Sequence, residues 1–134
     1  MSEDNKNNTF HDGMIVRREV LGDDHVNNAI QNTTELDKKF QKYITEGAWG
    51  TVWTGDNLSK RERSLITISL LAALGHHEEL EMHINASKNT GAKFDEISDA
   101  LMHVAVYAGV PASNSAIKIL KKIYKESEKN TNGK

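Results

Sequence analysis

The segment Ser59–Gly75, SKRERSLITISLLAALG, decides the fold class of this chain. Ser59 and Glu62 have the spacing of a capping box, in which two side chains satisfy the exposed backbone amides at the start of a helix. The residues that follow are apolar on nearly every face of a helix, which is typical of a helix at the centre of a bundle. Gly75 favours the end of that helix. The segment therefore predicts a central helix against which other helices pack.

Further helices are predicted on both sides of this segment. Toward the N-terminus, the apolar spacing predicts helices over 10–21, from Asp23 or Asp24 onward, and from Thr34 to near Gly47. Toward the C-terminus, it predicts a helix from about His77 to Asn89, one that ends at Gly109, and a last one over 111–125. No strand pattern is found. We expect an all-α fold of six or seven helices with short, antiparallel connections.

Residues 47–58, GAWGTVWTGDNL, form the one long irregular stretch that we expect inside the domain. Its residues Trp49 and Trp53 either cover the core, form a lid over a pocket or contact another subunit. The terminal segments 1–9 and 126–134 are polar and lack apolar periodicity, so we expect both to be disordered. A chain of 134 residues then leaves a single helical domain at 10–125.

The composition excludes several classes of protein. Without cysteine, the chain has neither a disulfide framework nor a thiol catalyst. Its formal net charge of −2 gives no electrostatic basis for binding nucleic acid. The lysines at 118, 121, 122 and 125 are interpreted as the solvated face of the last helix. Since neither a signal peptide nor a membrane-spanning apolar run is recognisable, we expect a soluble cytoplasmic protein without membrane contact.

The segment His76–Ala116, HHEELEMHINASKNTGAKFDEISDALMHVAVYAGVPASNSA, carries the residues best suited to proton transfer. His76, Glu79 and His83 share one helix face, and Glu79 lies one turn before His83. A carboxylate at that spacing can orient an imidazole and favour its protonation, so that the histidine exchanges protons near neutral pH. The alternative is an ordinary pair on a helix surface.

Other polar side chains extend this candidate site. His103 and Tyr107 repeat the one-turn spacing on the next helix, where a histidine in an apolar stripe is either a core residue or a pocket residue. Arg63 is either solvated or directed at an anion, and Asn114 either caps the last helix or donates to a carbonyl group. A metal site is a further alternative, but the spacing departs from the two-histidine pattern of zinc proteases because position 81 is Glu.

Several motifs over about residues 13–124 are shared with a known family. They are Arg18–Val26 (REVLGDDHV), Gly50–Trp53 (GTVW), Leu58–Thr67 (LSKRERSLIT), Glu79–Ile84 (ELEMHI), Asn89–Ala92 (NTGA) and His103–Ala112 (HVAVYAGVPA). In these motifs the chain resembles the γ-carboxymuconolactone decarboxylase family. The wider superfamily includes the alkylhydroperoxidase D enzymes, whose two cysteines fall on His76 and Glu79 and whose acidic residue falls on Ser64. A chain without cysteine is excluded from that peroxidase branch.

The resemblance implies an alkylhydroperoxidase D-like helical bundle and a step of protocatechuate degradation. That step converts γ-carboxymuconolactone to 3-oxoadipate enol-lactone in the β-ketoadipate pathway. No cofactor and no metal are implied, because the lactone carbonyl of the substrate accepts the electron pair that CO2 leaves behind. The resemblance also implies a ring-like homo-oligomer, with a hexamer as the expected state.

Roles for the polar residues are implied by the resemblance as well. We expect His83, oriented by Glu79, to donate the proton or to stabilise the dienolate oxygen. Arg63 is the first choice for binding a substrate carboxylate, with Arg17 or Arg18 as other candidates.

The same resemblance makes His103, Tyr107 and Asn114 candidates for lining the pocket, and Trp53 a candidate for closing its mouth. Two other functions remain open. One is a related decarboxylase that acts on another lactone or on a β-keto acid, and the other is a non-catalytic helical oligomer of the same fold.

Overall fold

The computed structural model describes the backbone of residues 3–132. This part of the chain contains seven α-helices, one π-helix and no strand, so the predicted all-α fold is confirmed. The elements are α1 (Glu3–Leu21), α2 (Asp23–Gln31), α3 (Lys38–Ile44), the π-helix (Thr45–Val52), α4 (Lys60–Leu74), α5 (His77–Thr90), α6 (Phe94–Tyr107) and α7 (Val110–Asn132). None of these helices combines the length and the apolar character that a membrane span requires. They form two compact units, Met1–Lys60 and Arg61–Lys134.

In the first unit, α1 packs against the π-helix. Val16 and Val20 of α1 are buried against Trp49 and Trp53, whose ring centroids lie 5.1 Å apart. Both tryptophans are 6 % exposed. They therefore belong to the core of this unit, as the core-covering alternative predicts.

The expectation of irregular chain over 47–58 is wrong for its first half, where the π-helix continues to Val52. The backbone amide of Trp53 donates to the carbonyl of Ala48, five residues earlier, at 3.0 Å. The π-helix lies very close to α1 at Gly13 and Gly50. A β-carbon on either glycine would overlap a backbone carbonyl oxygen of the other helix. A long-range contact that only glycine permits thus accompanies the unusual helix.

The second unit has one apolar core to which all four of its helices contribute. The buried residues of this core are Ile68, Ala72, Leu80, Ile84, Ala92, Ile97, Leu101, Val104, Ala116, Leu120 and Ile123. Polar contacts join the helices around it. Ser113 at the start of α7 donates to the carbonyl of Leu101 on α6 at 2.7 Å, and Lys122 of α7 pairs with Glu81 of α5 at 2.9 Å.

The central position predicted for α4 is wrong. Its buried side chains, Ser64, Ile68 and Ala72, follow one another at four-residue spacing and form a single buried face. On other faces Ile66, Leu70 and Leu74 are 46 %, 57 % and 67 % exposed. The all-round apolar pattern therefore reflects one face on the core and a second apolar surface that this chain leaves uncovered.

Helical backbone also extends into both terminal segments, where no regular structure was expected. Helix α1 begins at Glu3, and α7 continues to Asn132. Near the end of α7 the Thr131 hydroxyl donates to the backbone carbonyl of Ser127, one turn earlier, at 3.0 Å. Residues 1, 2, 133 and 134 lie outside the described residues, and the single-domain boundaries at 10–125 stay a prediction.

Candidate functional site

Helix α5 positions His83, the central residue of the predicted site. The helix follows Gly75 and ends at Gly91, whose φ of +87° is a left-handed conformation that glycine adopts without strain. Its buried side chains include Leu80, His83 and Ile84. Because His83 is only 8 % exposed, the alternative of an ordinary surface pair does not describe this imidazole.

His83 begins a stripe of polar side chains along the inner face of α5. His83, Ser87 and Thr90, which we call the α5 polar stripe, lie at the spacing that places residues on one helix face. The Ser87 hydroxyl donates to the carbonyl of Ile84 at 2.6 Å. The hydroxyl oxygen of Thr90 lies 2.7 Å from that of Ser64 on α4, where one donates to the other. The stripe therefore connects α5 to α4 next to Arg63.

The hydroxyl residues of this stripe were not predicted from the sequence. Ser64 is 1 % exposed and Ser87 is 4 % exposed. Ser87 and Thr90 lie four and seven residues after His83, so helix periodicity could have pointed to them. Ser64 lies on another helix, and no such spacing points to it.

Arg63 on α4 has a buried hydrogen-bond donor. Its Nε atom is buried and has no hydrogen-bond partner among the described residues. Burying such a donor unsatisfied is costly, and a guanidinium is suited to a carboxylate by charge and geometry. The neighbouring Arg61 is already paired with Glu96 of α6. These contacts favour the anion-directed alternative for Arg63 over the solvated one.

Glu79 differs from His83 in its surroundings. It is exposed, one turn before the buried imidazole, and His76 at the start of α5 is exposed as well. The orientation of His83 by Glu79 stays a prediction.

The two aromatic candidates on α6 lie on the surface. The rings of His103 and Tyr107 stack with centroids 6.3 Å apart and an interplanar angle of 9°. Tyr107 is 85 % exposed, and His103 is exposed too, so the alternative of a core histidine is wrong. Both stay candidates for a pocket only if something covers this face.

The remaining predicted residues are Asn114 and Trp53. Asn114 is exposed in the second turn of α7, and its neighbour Ser113 makes the buried contact to α6. Trp53 lies in the first unit, buried against Trp49. Their roles in a pocket stay predictions.

The structure distinguishes the two other arginine candidates. Arg18 is half-buried and pairs with Asp23 at 3.1 Å. Arg17 is 5 % exposed and lines a cavity of about 1000 Å³ in the first unit. In the second unit a smaller cavity, of about 420 Å³, is lined by Ser87 of the α5 polar stripe but not by His83.

The described residues also bear on the metal alternative. Among the side chains that the structure describes, those of residues 8–131, no group of three or more histidine, aspartate or glutamate residues is arranged to hold a metal ion. The histidines at 76, 77, 83 and 103 therefore do not form a cluster of that kind in this part of the chain.

Comparison with known proteins identifies the family to which this chain belongs. The model of the carboxymuconolactone decarboxylase family matches residues 38–122, which is more than half of the chain. The chain is 40 % identical over 122 residues to the 4-carboxymuconolactone decarboxylase of Acinetobacter baylyi, covering 91 % of each protein. It is 38 % identical over 127 residues to the nitrosuccinic acid decarboxylase npaB of Metarhizium robertsii, covering 91 % of this chain and 89 % of that protein. This chain therefore belongs to the carboxymuconolactone decarboxylase family.

Proposed function

We propose that this chain is a carboxy-lyase that converts γ-carboxymuconolactone to 3-oxoadipate enol-lactone without a cofactor. The observation that carries the proposal is the 40 % identity, over 91 % of both chains, to a relative named for this decarboxylation. The substrate bears a carboxylate on its γ-carbon. When the bond to CO2 breaks, the electron pair moves through the ring double bond into the lactone carbonyl, and a proton then returns to carbon.

The protein then has to hold the substrate carboxylates, stabilise the dienolate oxygen and deliver a proton. We assign these tasks to residues of the second unit. His83 donates the proton or stabilises the dienolate oxygen, and its burial supports this role because a water-poor site strengthens such interactions. Arg63 holds a substrate carboxylate, which its buried and unused Nε donor supports. Glu79 orients His83, and the Ser87 hydroxyl lies one turn further along the same face.

We further propose that the active protein is a homo-oligomer, with a hexamer as the expected state. Large apolar side chains exposed on α6 and at the start of α7 support this, with Val106 74 % and Val110 67 % exposed. A second copy over this face would enclose His103, Tyr107 and Asn114, which are exposed in the single chain. We also propose that Trp53 closes the mouth of the pocket. A cytoplasmic location is a further part of the proposal.

A second candidate function is decarboxylation of nitrosuccinate, favoured by the 38 % identity to a relative named for it. The two substrates share the chemical groups that decarboxylation without a cofactor requires. Both carry two carboxylates, and in both the departing CO2 leaves its electron pair to an acceptor within the substrate, a nitro group in one and a conjugated lactone in the other. The same cationic and proton-donating side chains would serve either reaction.

The experiment is turnover of both acids in parallel by chelator-treated protein, measured as CO2 release. We expect fast release from enzymatically generated γ-carboxymuconolactone and slow or no release from nitrosuccinate. Preference for nitrosuccinate would replace the first candidate by the second. No release from either acid by folded protein would contradict both, and loss of activity that zinc, iron or manganese restores would contradict the metal-free mechanism.

A further inference from the structure

The first unit contains a cavity for which the proposed function has no use. Its volume is about 1000 Å³, and residues of α1, α2, α3 and the π-helix line it together with the chain between α2 and α3. Arg17, which is 5 % exposed, is part of this lining. A buried cation in a cavity wall requires an explanation, because taking a charge out of water is costly unless it is paired.

Arg17 is held by neutral partners. One terminal nitrogen donates to the Thr45 hydroxyl at 3.2 Å, and the other donates to the side-chain oxygen of Gln41 at 3.2 Å. The Nε atom is buried and has no hydrogen-bond partner among the residues whose side chains are described. Burial lowers the pKa of Arg17, and the charge of Arg18 lowers it further. A guanidinium has five N–H donors, so the two described hydrogen bonds leave donors for an anion.

The other side chains of the cavity define what kind of anion fits. Basic residues outnumber acidic ones, with Lys38, Lys39 and Lys42 beside Arg17 against Glu35 and Glu46. One of those carboxylates, Glu46, is 3.9 Å from the ammonium of Lys42. Apolar walls are supplied by Phe10, Met14 and Ile30. Positive charge next to apolar walls suits an acid with a hydrocarbon part better than a bare inorganic anion.

We propose that this cavity binds a small organic carboxylate, whose carboxylate group pairs with Arg17 while its hydrocarbon part packs against Phe10, Met14 and Ile30. The site does not depend on the decarboxylation proposed above, whose residues His83 and Arg63 belong to the second unit. Binding would give the buried guanidinium the charged partner that the described residues do not supply.

The test uses the full chain and hexanoate as the probe, with binding measured by calorimetry. Hexanamide, a neutral molecule of the same shape, tests the need for charge, and sulfate tests the need for a hydrocarbon part. Tryptophan fluorescence gives a local signal, since Trp49 and Trp53 pack on Val16, the neighbour of Arg17. We expect hexanoate to bind with a dissociation constant below about 10 mM and to be the strongest of the three.

Matched variants on α1 locate the binding. We expect Arg17→Met to weaken hexanoate binding roughly tenfold or more, and Arg18→Met to weaken it much less because Arg18 pairs with Asp23 instead. If circular dichroism shows that Arg17→Met does not fold, Lys42→Met replaces it. Lys42 is an exposed residue of the cavity mouth, and its loss should weaken binding severalfold.

Four results would overturn the proposal. These are no hexanoate binding at about 10 mM, equal binding of hexanamide, sulfate binding as tight as that of hexanoate, and unchanged affinity in folded Arg17→Met or, in its place, in Lys42→Met. Because turnover is measured separately, an empty cavity with an active enzyme refutes only this inference. An occupied cavity with an inactive enzyme refutes only the proposed function.

Discussion

Individual histidines of this chain have the same chemistry but very different surroundings. His83 is enclosed with Leu80 and Ile84 on the inner face of α5, whereas His77 at the start of the same helix is exposed. In the proposed mechanism this enclosure matters, because it would limit the competition of water with a substrate for the imidazole. This contrast provides a matched pair of substitutions.

We predict that His83→Gln lowers kcat for CO2 release by about 100-fold or more, because general acid–base catalysis contributes that much in enzymes generally. His77→Gln should leave kcat unchanged. Steady-state kinetics on both variants, with circular dichroism to verify folding, checks the prediction. Wild-type turnover in folded His83→Gln would remove His83 from the mechanism.

At the scale of elements, α1 and the π-helix of the first unit lie close together at two glycines. A β-carbon at Gly13 would overlap the carbonyl oxygen of Thr45, whereas one at Gly47, within the π-helix, meets no atom within 4 Å. We predict that Gly13→Ala destabilises the protein by about 2 kcal/mol, as overpacking does in tightly packed sites. Gly47→Ala should cost little. Urea denaturation followed by tryptophan fluorescence measures both, and equal stability of the two variants would contradict the close approach.

Another contact between elements depends on pH. Arg61 of α4 donates a hydrogen bond to Glu96 of α6, and the backbone amide of Lys93 adds a second, which together lower the pKa of Glu96 from 4.5 to about 2. A carboxyl group whose pKa is lower in the folded state stabilises the fold fully above its unfolded pKa, and this contribution is lost as the pH falls toward the folded value.

We therefore predict that Glu96→Gln flattens the dependence of unfolding free energy on pH between about 4.5 and 2. The glutamine still accepts the hydrogen bond that caps α6, so the change removes the titrating charge and keeps the cap. Asp99→Asn, at an exposed position on the same helix, is the control and should follow the wild-type curve. Parallel curves for wild type and Glu96→Gln would show that the ion pair contributes no pH dependence.

For the whole molecule, the exposed apolar side chains predict self-association. We predict that Val106→Arg shifts the protein toward the monomer in sedimentation velocity, because a charge inserted into an apolar contact must be desolvated without a partner. Asn85→Arg, on the exposed face of α5, should keep the wild-type state. If the wild type is itself monomeric at the concentration at which it turns over substrate, the oligomeric part of the proposal is wrong.

The sequence alone was sufficient for the all-α class and for most helix ends. Helices end near Gly22, Gly75, Gly91 and Gly109, and each of these glycines has a positive φ. Local chemistry accounts for this, since a left-handed residue ends a helix whatever surrounds it. The motifs that this chain shares with the family are likewise readable from the order of residues alone. The match of the family model to residues 38–122 confirms that family.

Tertiary structure alone decided which of two neighbouring side chains turns inward. Arg17 rather than Arg18 is buried, and Ser113 rather than Asn114 makes the contact to α6. Adjacent residues on a helix point about 100° apart, so the choice depends on where the partner helix lies. The π-helix also depends on tertiary structure, because its contact with α1 joins residues more than thirty positions apart. Helix ends follow from the local sequence. Buried faces follow from packing, and so do the buried Nε donors of Arg17 and Arg63, for which the described residues supply no hydrogen-bond partner.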